Sequence, residues 1–197
     1  MTSNNGRIRI AVLCGSVRPR NYTRMAVDVV TASLSAYPDV SVDLVDPLGL
    51  DLPPPGLEAA SDSVSELQDV VGGATVVILA TPEYHGSFSS VMKLIIENLG
   101  FPSVLAGKPV ALLGVAGGSI GAIKSLEQLR GVCSHVGAIV LPGPVSIAHV
   151  RSVFNEDGEC LDAGVEGRLQ GLSESLLGYI QQNVCPRMTL EAMVRAG

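Results

Sequence analysis

Tryptophan is absent from this chain, and the other aromatic residues are few. Its 197 residues include three Phe and four Tyr. Proteins that bind single-stranded nucleic acid stack bases on aromatic side chains, so this shortage argues against such a platform. The formal net charge of −6 and the lack of a basic run argue against a protein that follows a phosphate backbone. We therefore expect no nucleic-acid partner.

Charged residues and long apolar runs are also scarce. Charged residues make up 16% of the chain, against 47% hydrophobic residues, which is the opposite of the balance in disordered proteins. No apolar stretch approaches the roughly 20 residues of a membrane-spanning helix. The apolar run that follows MTSNNGR is too short for the core of a signal peptide. We expect a folded cytoplasmic protein with no membrane partner.

Sequence motifs for metals and for common nucleotides are missing. The four cysteines, at positions 14, 133, 160 and 185, form no CxxC pair, so no metal site is expected. Dispersed thiols are typical of a reducing cytoplasm. The GxxxxGK[ST] loop does not occur, which disfavours a nucleoside triphosphate held with Mg²⁺. The stretch GVAGGSIGA lacks the GxGxxG spacing of a dinucleotide fingerprint.

What the chain does contain is a regular alternation of strand and helix patterns. The strand patterns are IRIAVLCG, VSVDLVD, ATVVILA, KPVALLGVAGG and AIVLP, with amphipathic stretches between them. Such alternation predicts a parallel sheet with helices on both faces. The natural arrangement is an α/β, flavodoxin-like three-layer sandwich with a five-stranded parallel sheet in the order 2-1-3-4-5. The stretch SFSSVMKLIIENLG is predicted to be helical over its whole length, directly after the loop that follows the third strand.

We expect one domain over residues 1–197. Its core is predicted over about residues 7–184, and residues 185–197 are predicted to form a loosely held tail.

In that fold, ligands bind beyond the carboxyl ends of the strands, where the strand order reverses. The loop after the first strand, GSVRPRNYT, places Ser16, Asn21 and Thr23 at the start of a helix, whose unpaired N–H groups favour an anion. Arg18 adds a charge-assisted hydrogen bond. This loop suits a phosphate monoester, although a capped helix start with solvated arginines explains it equally well.

The loops after the third and fourth strands offer flat and flexible surfaces. TPEYHGSFSS provides a rigid Pro82, the carboxylate of Glu83 and the rings of Tyr84 and His85. In GVAGGSIGA the glycines allow the backbone to approach a ligand closely, and Ser119 can cap the next helix. A helix-start turn without a ligand explains this loop, taken alone, at least as well. Together the three loops predict a site for a phosphate and a flat polar ring system, and FMN has this shape.

The same residues resemble a known family. GSVRPRNYTRMA, TPEYHGSFSSVMKLIIENL and KPVALLGVAGGSIG, within about residues 8–145, resemble the NADPH-dependent FMN reductases of flavodoxin-like fold. The resemblance implies an enzyme that binds FMN and takes a hydride from NADPH or NADH. It also implies a small-molecule electron acceptor, such as a free flavin, quinone, azo dye or metal oxyanion. The flavin itself would carry the chemistry, so no protein residue is assigned a catalytic role.

Carried over by position, the resemblance implies a set of cofactor-binding residues. The phosphate-binding residues would be Ser16, Arg18, Asn21, Tyr22 and Thr23. The residues along the isoalloxazine would be Pro82, Glu83, Tyr84, His85, Gly86 and Ser87, with Gly117, Gly118 and Ser119 on its pyrimidine side. His85 replaces the usual Asn of PEYNGS, and SFSS replaces the commoner S-x-P-G.

Three alternatives remain open from the sequence. A non-catalytic FMN electron carrier would have the same fold, although such carriers are usually more acidic and have a threonine-rich phosphate loop. A flavin-free regulatory protein would use the same crevice. Glu83 is either a general base or a residue that closes its loop. Finally, the apolar arc over residues 88–99 is wider than one core face needs, which predicts that part of it packs on a second subunit, with burial in the core alone as the alternative. The resemblance implies a homodimer or a homotetramer.

Overall fold

The computed structural model describes residues 8–196, in which a parallel sheet lies between two layers of helices. The strands are β1 (Ile8–Cys14), β2 (Val40–Val45), β3 (Val76–Tyr84), β4 (Ser87–Phe88), β5 (Pro109–Val115), β6 (Ile139–Val140) and β7 (Val145–Ile147). The helices are α1 (Tyr22–Ser35), α2 (Ser63–Gly73), α3 (Ser90–Glu97), α4 (Ile123–His135), α5 (Ala163–Tyr179) and α6 (Cys185–Ala196).

The sheet has the predicted flavodoxin-like strand order. Its main path runs β2-β1-β3-β5-β6, and all four pairings along it are parallel. The predicted count of five strands is wrong, because the sheet has seven. β4 adds an antiparallel hairpin to β3, and β7 pairs with β5 beyond the end of β6. The fifth strand position is thus divided in two at Pro142, which lacks the N–H that a continuous ladder requires.

Two apolar layers explain why the central strands are almost continuously hydrophobic. Successive residues of a strand point to opposite faces of the sheet. Ile10 and Val12 of β1 therefore pack in the layer under α1 and α5, while Ala11 and Leu13 pack in the layer under α2, α3 and α4. The edge strand β2 is mostly half-buried, which accounts for its alternating sequence. Both faces of the central strands need apolar side chains.

The register brings the carboxyl ends of the central strands to one level. Cys14 of β1 pairs with Ala80 of β3, and Pro82 pairs with Val115, the last residue of β5. β3 continues for two residues past Pro82 and turns back through β4. The loops that follow these strands therefore meet at the same edge.

The start of the third helix differs from the expectation. The helix expected over SFSSVMKLIIENLG begins only at Ser90, because Ser87 and Phe88 pair with β3 as strand β4. Ser89 is the N-cap of α3, and its hydroxyl accepts a hydrogen bond from the backbone N–H of Met92 over 3.0 Å.

The C-terminal part of the described chain is helical. After α5 the backbone passes through a π-helical turn, Ile180–Val184, into α6, where the sequence predicts a loosely held tail. Side chains of α6 such as Met188 and Met193 are exposed. The single-domain organisation stays a prediction. Within residues 8–196, no helix combines the length and the apolar character needed to cross a bilayer.

Candidate functional site

A cavity of about 420 Å³ lies at the carboxyl edge of the sheet. Four segments line it: residues 18–23 after β1, residues 82–84 at the end of β3, residues 115–117 at the end of β5, and residues 150–151 after β7. Its size is within the range of small-molecule sites. The cavity brings together Arg18, Asn21, Tyr22, Thr23, Pro82, Glu83, Tyr84 and Gly117 from the predicted site.

The start of α1 is built to accept a negatively charged group. Asn21 is its N-cap: the Oδ1 atom accepts from the backbone N–H of Arg24 over 2.8 Å, and Nδ2 donates to the carbonyl oxygen of Arg18 over 2.7 Å. The first turn of α1, which the structure describes in full, carries no acidic residue. Its dipole and remaining N–H groups are thus available to an anion at the cavity.

Ser16 is the most unusual polar residue of the loop after β1. It is only 5% exposed, and its hydroxyl has no hydrogen-bond partner within the described part of the chain. A buried polar group without a partner costs about 1–3 kcal/mol, so such groups are rare in folded proteins. The hydroxyl of Ser16 is thus an unused hydrogen-bonding group in the loop that leads to the cavity, although Ser16 itself stands outside the cavity lining.

Contacts with α3 fix the path of the same loop. The hydroxyl of Ser89 donates to the carbonyl oxygen of Gly15 over 2.6 Å, and the backbone N–H of Ser89 donates to the hydroxyl of Thr81 over 3.1 Å. A Cβ atom on Gly15 would lie 3.0 Å from the carbonyl oxygen of Ala80. Glycine is required here because the loop passes so close to β3.

His85 and Gly86 form the turn between β3 and β4. Both have positive φ angles, 51° and 75°, as a two-residue type I′ hairpin demands. Asn-Gly is the preferred pair in this turn, and His is among the residues that tolerate positive φ. His85 is exposed, Gly86 and Ser87 are half-buried, and none of the three is part of the cavity lining. The structure therefore accounts for His85 as a turn residue with a positive φ angle.

A glutamine of α4 anchors this turn. The hydroxyl of Ser87 donates to Oε1 of Gln128 over 2.7 Å, and Nε2 of Gln128 donates to the carbonyl oxygen of Gly86 over 3.0 Å. The hairpin is therefore held against α4 from the outside of the cavity.

Glu83 closes its loop onto α4. Its Oε2 atom accepts a hydrogen bond from the backbone N–H of Ser125 over 3.1 Å, which satisfies an N–H in the first turn of that helix. The hydroxyl of Ser146 accepts from the backbone N–H of Ala122, the N-cap residue, over 2.9 Å. The expectation that Ser119 caps α4 is wrong. Ser119 and Gly118 are exposed and stand outside the cavity lining.

Arg18 and Tyr84 form one wall of the cavity. The guanidinium carbon of Arg18 lies 4.9 Å from the centre of the Tyr84 ring, a distance typical of cation–π contacts. The contact joins the loop after β1 to the end of β3. It leaves a flat surface of ring and guanidinium beside the helix start.

Arg151 and its neighbours are site residues that sequence reasoning missed. Ala116 donates its backbone N–H to Ile147 over 2.8 Å, and Val150 donates its N–H to Ala116 over 3.0 Å, which holds the segment after β7 against the end of β5. Because the fifth strand was expected only at AIVLP, nothing in the sequence marked VSI as a strand ending near the cavity. An arginine shortly after VSI is the signal that was available.

Cys14 is the last residue of β1, directly before the loop that leads to the cavity. Burial raises the pKa of its thiol from 9.0 to about 11. A thiol of this kind stays protonated at neutral pH and is a poor nucleophile. Cys14 therefore has a packing role beside the site.

Comparison with known proteins places these features in context. Residues 8–151 match the family model described as NADPH-dependent FMN reductase. The chain is 28% identical, over 179 residues, to a 2-hydroxy-1,4-benzoquinone reductase from a Burkholderia species, covering 88% of this chain and 97% of that protein. It is 26% identical to the NADPH-dependent FMN reductase ArsH of Rhizobium meliloti, covering 88% of this chain and 72% of that protein.

A solved structure agrees with these matches. The flavoenzyme NAD(P)H:(acceptor) oxidoreductase FerB of Paracoccus denitrificans superposes with a TM-score of 0.74 at 25% identity. The superposition covers 89% of this chain and 98% of that one. The similarity thus includes nearly the whole of both proteins.

Proposed function

The chain belongs to the family of NADPH-dependent FMN reductases, and we propose that the cavity at the carboxyl edge of its sheet holds the FMN. The protein is accordingly a flavin-dependent oxidoreductase that uses FMN, with NADPH or NADH as the electron donor and a small molecule as the acceptor. FMN supplies the hydride chemistry in such an enzyme, and the chain has to bind and orient it.

The observation that carries the proposed location is the buried, unpartnered hydroxyl of Ser16. It lies in the loop between β1 and the anion-accepting start of α1, as a ligand of the FMN phosphate should. We propose that the phosphate is bound by Ser16, Arg18, Asn21, Tyr22 and Thr23. These residues supply hydroxyl and amide groups, N–H groups of a helix start and one cation, all of which suit a phosphate dianion.

We propose that the flavin ring lies between the end of β3 and the end of β5. The residues assigned to the ring are Pro82, Glu83, Tyr84, His85, Gly86 and Ser87 on one side and Gly117, Gly118 and Ser119 on the other. In this arrangement Glu83 and Gln128 hold the hairpin in place through the hydrogen bonds described above. Exposed positions such as His85 and Ser119 belong to the rim, where a donor or acceptor enters.

Among acceptor classes we favour a quinone. The relative from the Burkholderia species is named for a hydroxylated benzoquinone, and it aligns over almost its full length. A flat, neutral or weakly acidic acceptor fits a site whose rim carries a tyrosine ring and an arginine. The electron-carrier alternative has less support, because the similar proteins are named as reductases.

We also propose a cytoplasmic homodimer or homotetramer. Phe101, just after α3, is 102% exposed, and Leu57 is exposed in the loop before α2. Asn98 at the end of α3 donates its side-chain amide to the carbonyl oxygen of Pro53 over 3.0 Å, which joins that loop to α3. Exposed large apolar residues on neighbouring elements favour a subunit interface. The nicotinamide donors and the dispersed cysteines support a cytoplasmic location.

The proposed function is tested by the visible spectrum of the purified protein after incubation with FMN, and by NADPH oxidation with added benzoquinone. We expect a flavin spectrum that stays with the protein after gel filtration, and quinone-dependent oxidation. Arg18→Ala should weaken FMN binding about tenfold, whereas Arg168→Ala, which removes an exposed arginine of α5, should leave it unchanged. A colourless protein that does not quench flavin fluorescence would contradict the proposal.

A further inference from the structure

Three arginines without ion pairs converge on the cavity. Arg18, Arg20 and Arg151 all line it, and none of them takes part in an ion pair within residues 8–196. By contrast, the charge of Arg24, in the first turn of α1, is compensated by ion pairs with both Asp28 and Asp46. In a chain with a net charge of −6, three uncompensated cations at one place are a marked local excess.

One phosphate does not need this much positive charge. The FMN phosphate carries at most two negative charges, and the start of α1 together with Arg18 already offers a dipole and a cation. Arg20 and Arg151 are therefore left for a second anionic group. Arg20 also has a φ of 51°, which is uncommon for arginine and typical of residues whose orientation serves a site.

A second cavity, of about 510 Å³, begins where these two arginines lie. It shares Arg20, Tyr22 and Arg151 with the first cavity and extends over Met25 of α1 to residues 154–156. Two cavities that adjoin through an arginine pair can hold two parts of one reaction, a flavin in one and the far end of its electron donor in the other.

Glu156 also lines the second cavity, but no ion pair within residues 8–196 joins its carboxylate to Arg20 or Arg151. The side chain of Asn155 accepts from the backbone N–H groups of Asp157 and Glu159 and donates to Oε2 of Glu159 over 2.7 Å. The carboxylate of Glu159 is thus used within its own loop. Met25 and the half-buried ring of Tyr22 add the apolar surface on which a nucleoside can rest.

We propose that Arg20 and Arg151 bind the 2′-phosphate of NADPH in the second cavity and thereby make the enzyme prefer NADPH over NADH. This rests on the proposed function, with FMN in the first cavity. The 2′-phosphate is the only group by which the two donors differ, and arginine matches a phosphate with two parallel N–H donors. The same device, an arginine on the ribose phosphate, distinguishes NADP from NAD in unrelated dinucleotide folds.

The kinetic test compares Arg20→Gln and Arg151→Gln with the matched control Arg168→Gln. The quantity measured is the ratio of kcat/KM with NADPH to kcat/KM with NADH. We expect this ratio to fall about tenfold for each cavity variant, through a higher KM for NADPH, because a charge-assisted hydrogen bond is lost. Arg168→Gln removes the same charge from the exposed surface of α5 and should keep the wild-type ratio.

A binding measurement separates this role from a role in flavin binding. FMN-loaded protein is titrated in a calorimeter with adenosine 2′,5′-bisphosphate and with adenosine 5′-monophosphate. We expect the wild type to bind the bisphosphate more tightly, and Arg151→Gln to lose about tenfold of that difference. Apoprotein titrated with FMN should give the same affinity for Arg151→Gln as for Arg168→Gln.

Two outcomes would overturn the proposal. If the NADPH to NADH ratio of both cavity variants equals that of the control, the arginines do not read the 2′-phosphate. If FMN affinity falls instead, they belong to the flavin phosphate. Either result would leave the proposed function intact, because the wild type would still bind FMN. A wild type that binds no FMN at all would reject both proposals.

Discussion

The carboxylate of Glu83 accepts a hydrogen bond from the backbone N–H of Ser125, 3.1 Å away. This bond joins the last residues of β3 to the first turn of α4, and so it fixes the hairpin beside the cavity to a helix behind it. A carboxylate at the start of a helix is also favourably placed in the helix dipole. Of the two roles that the sequence left open for Glu83, the geometry favours the one in which it closes its loop.

Substitution of Glu83 separates the two roles. Glu83→Gln keeps an oxygen that accepts the Ser125 hydrogen bond, so we expect kcat to change little. Removal of a general base would instead lower kcat by about 10²–10⁴-fold. Glu83→Ala removes the acceptor and should lower the free energy of unfolding by about 1 kcal/mol. Urea unfolding and steady-state quinone reduction measure the two effects.

The pH profile provides the control for this prediction. Wild type and Glu83→Gln should have the same profile of kcat against pH between pH 5 and 9. If the Gln variant instead loses an acidic limb together with at least a hundredfold in kcat, Glu83 acts as a base and the structural interpretation is wrong.

The order and the type of the strands and helices were predictable because they follow from local sequence patterns. Continuous apolar runs mark central strands, the alternating VSVDLVD marks an edge, and amphipathic helices between them require parallel pairing. The strand order then places the loops after β1, β3 and β5 together, so that residues as distant in sequence as Asn21, Tyr84 and Gly117 were expected at one site. The structure brings these three to the same cavity.

The rest of the site depends on pairing between distant segments. The continuation of β3 through Glu83 and Tyr84 exists because Ser87 and Phe88 fold back onto it, and no local pattern distinguishes that strand from an exit loop. The interruption at Pro142 likewise moved the end of the fifth strand position to Ile147. This shift is why Arg151 escaped notice.

The buried thiols predict a loss of stability at alkaline pH. Burial raises the pKa of Cys133 from 9.0 to about 12, so above pH 9 the unfolded chain loses a proton that the folded protein keeps. Stability from this group is complete below pH 9 and declines as the pH rises through the window from 9 to about 12. The decline is at most about 1.4 kcal/mol per pH unit.

Urea unfolding at pH 8 and pH 10 measures this effect. Other groups also titrate there, so the informative quantity is the difference in pH dependence between wild type and Cys133→Ala. The variant should lose less unfolding free energy between the two pH values, whatever its stability at pH 8. Equal losses in the two proteins would show that the Cys133 thiol does not contribute.

Phe101 offers a direct test of the proposed subunit interface. The side chain is completely exposed, and we expect a second subunit to cover it. Phe101→Ser should convert the oligomer into monomers at micromolar concentration, as measured by size-exclusion chromatography with light scattering. Tyr37→Ser, which changes a partly exposed aromatic residue just after α1, should leave the assembly unchanged. A wild type that elutes as a monomer would reject the interface.

Ser16→Ala tests the location of FMN through two opposite effects. Without ligand the hydroxyl of Ser16 is buried and has no partner in the described chain, so its removal should stabilise the apoprotein by about 1 kcal/mol. Ser173 of α5 is a matched control. Its hydroxyl is also buried, but it has a partner, because it donates to the carbonyl oxygen of Val30 over 3.4 Å. Ser173→Ala should destabilise the protein and leave FMN binding unchanged.

The most direct measurement is the FMN dissociation constant of Ser16→Ala, obtained by quenching of flavin fluorescence and compared with the wild type and Ser173→Ala. An FMN phosphate at the loop after β1 predicts a dissociation constant about tenfold higher for Ser16→Ala, in an apoprotein at least as stable as the wild type. If Ser16→Ala binds FMN as tightly as the wild type, FMN does not use this hydroxyl and the proposed site is wrong.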